Sequence, residues 1–121
     1  MYVLFNQSKE AVAYIETNMI VDANSPELVG VLLGNCLFDR QGKLTGKFFG
    51  GVVYNLKGEQ LAEAHVPDAI PGGEFSFQKY LQEASSIVYS ITNHADVWIE
   101  PAGKWGKASL MEELNAVMVL A

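Results

Sequence analysis

The sequence predicts an α+β fold: a strongly bent antiparallel β-meander or partly closed small barrel, packed against a long amphipathic helix, with a further strand and a C-terminal helix. Three observations predict it. Short apolar-aromatic segments recur around the same turn chemistry, a glycine pair interrupts one long apolar run, and helical periodicity appears only after Ala64.

The turn chemistry comes first along the chain. Val3-Leu4-Phe5 leads into Asn6-Gln7-Ser8-Lys9, Cys36-Leu37-Phe38 into Asp39-Arg40-Gln41-Gly42, and Val52-Val53-Tyr54 into Asn55-Leu56-Lys57-Gly58. A fourth segment, Val97-Trp98-Ile99 before Glu100-Pro101-Ala102-Gly103, reads the same way. Asp or Asn opens a type I turn because its side chain caps the backbone, and glycine follows the bend where the chain needs positive φ. Each segment therefore reads as one side of a hairpin with a loop slightly longer than the two-residue minimum. The segments starting at Gly34 and Gly50 are offset by sixteen residues, which suggests a local duplication. The strands around Asp39-x-x-Gly42-Lys43, followed by Gly46-Lys47, are similar to hairpins of PRC-barrel domains, but the likeness spans a short stretch and names no family.

Between these turns, Ala11 to Glu16 and Asn18 to Asp22 suggest strands, and Asp22-Ala23-Asn24-Ser25-Pro26 a turn. Glu27 to Phe38 and Lys43 to Tyr54 read as two long strands, the second bent by a bulge at Gly50-Gly51. Apolar residues fall on both faces there, which implies that both faces are covered. The β-rich part thus runs over 1–64. After a proline- and glycine-rich loop from His65 to Gly73, the recurrence of Phe77, Tyr80, Leu81, Ala84, Ile87, Val88 and Ile91 predicts a helix over 74–93. Residues 96–100 read as a strand. Ser109 followed by Glu112 forms a capping box that opens a second helix over 109–120.

At 121 residues, with 50% hydrophobic and 18% charged, the chain is read as one domain over 1–121 with its own core. A net charge of −6 argues against phosphate backbones and anionic lipids, so neither nucleic acid nor membrane is expected as a partner. One cysteine forms no internal disulfide, no export signal is visible, and no apolar run approaches the ~18 residues that cross a bilayer. The expected location is cytoplasmic.

No chemistry-bearing motif emerges. Cys36 lies in an apolar run, where burial makes a thiol inert. His65 and His94 have Asp68 and Asp96 nearby, yet the spacing matches no ligand motif. Lys104 and Lys107 sit in a glycine-containing turn that lacks the residues of a phosphate loop. Glu112-Glu113 complements a helix dipole, and Trp98 and Trp105 flank a turn where packing or a protein contact is the plainer use. No catalytic, cofactor-binding or metal-ligating residue is assigned and no cofactor is expected. The favoured reading is a non-catalytic domain that forms a homo-oligomer or docks on a protein partner. The alternatives are a small apolar ligand held between curled sheet and helix, and an enzyme with an unrecognised site.

Overall fold

A computed structural model describes residues 1–25, 27–67, 78–91 and 98–114. Eight strands follow in chain order: β1 Tyr2–Phe5, β2 Ala11–Glu16, β3 Met19–Asp22, β4 Leu28–Leu33, β5 Cys36–Asp39, β6 Leu44–Phe49, β7 Val52–Asn55 and β8 Gln60–His65. Each pairs antiparallel with the next, and β1 pairs with β8 through Val3↔His65, Leu4↔Ala64 and Phe5↔Glu63, so the sheet closes into a barrel. A 3-10 turn, Gln78–Tyr80, leads into α1 Leu81–Ser90, and α2 spans Leu110–Glu113.

This overturns the α+β expectation. The sheet does not bend under a long helix; it closes on itself completely, and the described helical segments are short. The two long strands are in fact two hairpins. Gly34-Asn35 separates β4 from β5, and Gly50-Gly51 is the turn between β6 and β7 rather than a bulge inside one strand. The hairpin expected around Glu100 does not form: Trp98 to Glu100 is not a strand, and Trp105 makes only a parallel bridge to Gln60. Of the helix expected over 74–93, residues 74–77 and 92–93 lie outside the described residues, as do 96–97 of the expected strand and 115–120 of the expected C-terminal helix. The Ser109–Glu112 capping box is present as expected, at 3.0 and 3.1 Å.

The interior explains the closure. Leu4, Ile20, Leu37 and Val53 are fully buried and recur at steps of 16, 17 and 16 residues. Their register partners are Ala13, Gly30, Gly46 and Ala62, all small. An eight-stranded barrel is only wide enough for side chains to fill, so a ring of large residues needs a ring of small ones opposite. The register slips once beside each large residue, leaving Val12, Val29, Thr45 and Leu61 as the extra residues of four bulges. A bulge increases local twist and bends its strand, which is what closing a narrow barrel demands. Ile15, Leu32, Phe48 and Ala64 form a further ring of the same core.

At one end of the barrel, Asn6, Asp39 and Asn55 hold the hairpins. Asp39 Oδ1 accepts from the amides of Gln41 and Lys43 at 2.9 and 3.0 Å, and Asn55 Oδ1 accepts from Lys57 and Glu59 at the same distances. Gly42 and Gly58 follow at φ 79°, and Lys9 takes the equivalent position at φ 63°. This end is stoppered by α2 and the residue that caps it, Leu110 of the helix and Leu114 after it joining the barrel core. The segment before α2 is laced to the β7–β8 turn: Gln60 donates its amide to Lys104 O at 2.8 Å, Ala102 to Gly58 O at 2.9 Å, and Lys104 Nζ meets Glu59 at 3.5 Å.

Candidate functional site

Successive hairpins share their inward residues but not their outward ones. The outward positions are Val3, Phe5, Tyr14 and Glu16 in the first hairpin, and Met19, Val21, Val31 and Leu33 in the second. In the third they are Cys36, Phe38, Lys47 and Phe49, and in the fourth Val52, Tyr54, Glu63 and His65. Repetition inside and divergence outside place any specific chemistry on the outer wall.

The second hairpin and part of the third form an apolar wall that α1 covers. Met19, Val21, Leu28, Val31, Cys36 and Phe38 pack with Tyr80, Ala84 and Ile87. Cys36 is therefore a buried thiol between strand and helix.

A recess lies elsewhere, on the outer wall where β8 meets β1. It has a volume of about 680 Å³ and is lined by Val3, Phe5, Asn6, Lys9, Glu63, His65, Val66 and Pro67. Antiparallel pairing sets its order. Lys9 stands at the hairpin tip, then Phe5 beside Glu63, then Val3 beside His65, with Val66 and Pro67 at the far end. The His65 ring meets Phe5 edge-on, centroids 5.5 Å apart at 69°, and His65 Nε2 lies 4.0 Å from Glu63. The arrangement offers an apolar floor with charge along its rim, which suits recognition. Among the described residues no group of three or more His, Cys, Asp and Glu is placed to hold a metal. Asp68, His94 and Asp96, paired on paper with His65, lie outside the described residues.

The other sequence candidates have structural work. Lys104 pairs with Glu59, whose carboxyl is held below its ordinary value of 4.5 chiefly by the hydrogen bond from Asn55, with Lys104 and Lys57 adding to it. Glu112 and Glu113 occupy the first turn of α2. Trp105 is half-buried against β8, whereas Trp98 is 88% exposed. Sequence reasoning missed the recess because Phe5, Lys9, Glu63 and His65 come together only through barrel closure. One signal was present: Lys9 stands where the two kindred turns have glycine.

No helix among the described residues is long and apolar enough to cross a membrane. No curated protein and no solved structure gives a significant match. A family model does, over residues 2–114, and its description as a 4-fold beta flower protein fits the four hairpins and their repeated inner rings. The chain belongs to the 4-fold beta flower family.

Proposed function

We propose that this chain is a non-catalytic interaction domain, acting in the cytoplasm by homo-oligomerisation or by docking on a protein partner. One observation carries the reading. The interior is a repeated, side-chain-filled core closed at one end by Leu110 and Leu114, whereas the outer wall differs from hairpin to hairpin. A filled core serves stability, and surface asymmetry on a symmetric scaffold serves recognition. Large apolar side chains stand in solvent on that exterior, with Trp98 and Tyr89 each 88% exposed and Val66 71%. Aromatic residues of this kind are the usual anchors of protein interfaces. The cytoplasmic assignment rests on the one cysteine, which forms no internal disulfide.

The test is crosslinking in cells with a photoreactive residue placed at Trp98 or Tyr89, against the same residue placed at exposed Lys43. Discrete protein adducts from the aromatic positions, absent at the control, are expected. Equal, featureless labelling at all three would overturn the proposal.

A further inference from the structure

Resting on that interaction reading, we infer that the recess at the β8–β1 junction is the socket for Trp98 of a second copy of this chain. The segment from Trp98 to Glu100 alternates: Ile99 is buried, while Trp98 and Glu100 both stand in solvent. It therefore presents an indole and a carboxylate to solvent two residues apart. The recess presents the complement, an apolar lining of Val3, Phe5, Val66 and Pro67 with Lys9 at its hairpin end. Lys9 makes no ion pair with any described residue. The volume of about 680 Å³ admits an indole with the chain that carries it.

Two further features support this occupant. At 88% exposure, Trp98 is not seated in its own recess. Lys9 keeps a left-handed backbone, φ 63°, where the kindred turns use glycine, so the turn carries a cationic side chain at a position its relatives leave bare. The projecting segment is also laced to the β7–β8 turn, next to the strand that lines the recess, since Ala102 donates to Gly58 O at 2.9 Å. Knob and socket on one flank permit two copies to exchange them about a two-fold axis, the commonest symmetry of homo-oligomers.

The experiment is sedimentation velocity of the full chain from micromolar to millimolar concentration, with four variants. A reversible dimer is expected for the native chain. Trp98→Ser is expected to weaken it about 30-fold or more, the effect of losing a central aromatic anchor. Lys9→Glu and Glu100→Lys alone are each expected to weaken it about two- to fivefold, and the double variant is expected to recover the native constant. A native chain that stays monomeric throughout overturns the inference while leaving a different protein partner to the proposed function. Dimerisation untouched by Trp98→Ser, or charge variants that do not rescue one another, overturns it as well.

Discussion

Replacing Thr17 by glycine should make the barrel more stable, although it removes every side-chain atom beyond Cα. Thr17 opens the turn between β2 and β3 at φ 56°, and the equivalent positions hold Gly34 and Gly50, both at φ 60°. A residue with a Cβ pays about 1–2 kcal/mol in the left-handed region, and a β-branched one lies at the upper end. Thr17 is exposed and no hydrogen bond of its side chain offsets this cost. Glycine gives back about 0.4–1 kcal/mol through the greater freedom of the unfolded chain. The net gain is on the order of 0.5–1 kcal/mol, which for a domain of this size raises the melting temperature by about 2–5 °C. Urea unfolding should show a higher midpoint with an unchanged slope, because the surface exposed on unfolding is the same. The reciprocal substitution supplies the control. A Cβ at Gly34 meets nothing within 4 Å, so Gly34→Thr should lose about 0.5–1 kcal/mol, the backbone strain less the entropy the unfolded chain no longer gains from glycine. If Gly34→Thr costs that much and Thr17→Gly gains nothing, the equivalence of the two turns is wrong.

Three other outcomes are expected. Gly46→Ala should cost about 1–3 kcal/mol or more, because the new Cβ would run into the Tyr54 carbonyl, and thermal unfolding of the variant measures it. Glu59→Gln should remove a pH-dependent part of the stability. The folded carboxyl titrates below 4.5, so its contribution is full above that value and fades as pH falls through the lowered folded value, the unfolded chain taking up its proton first. The gap in urea midpoint between native and variant should accordingly be wide near pH 6 and close toward about pH 3. Cys36 should react with a small alkylating reagent only on the timescale of opening beneath α1, so labelling of the native protein at the rate of the urea-unfolded chain would contradict its packing.

How much of this was legible depended on where the chain broke its own rules. The turns at Asn6, Asp39 and Asn55 were readable because an Asx side chain and a left-handed position leave a fixed spacing. The second-hairpin turn, from Asp22 to Glu27, is one residue longer than its kindred, so it read as a turn without reading as a repeat. Glu100-Pro101-Ala102-Gly103 showed the same spacing, and Gly103 does adopt φ 74°, yet among the described residues no strand flanks it. Turn chemistry specifies a bend, not the pairing on either side. The eight strands were undercounted for another reason. At each bulge two consecutive residues face inward, as Val29 and Gly30 do, which destroys the alternation that marks a strand with one wet face. Glu27 to Phe38 therefore looked like one run, although Gly34-Asn35 turns it. Closure itself left no trace in local sequence, and the recess between β8 and β1 was hidden with it.

That junction also sets the order in which the molecule can be completed. Seven of its eight strand pairings join neighbours along the chain and need only short loops, whereas the edge of β1 that faces away from β2 must wait for β8 to exist before it has a partner. Until then a growing chain carries two bare ladders of amides and carbonyls, ready to stitch onto other molecules. The last three residue pairs thus extinguish both rims at once, and a lesion at Leu4 or Ala64 should show itself as precipitation during synthesis before it shows as a loss of stability in the finished barrel.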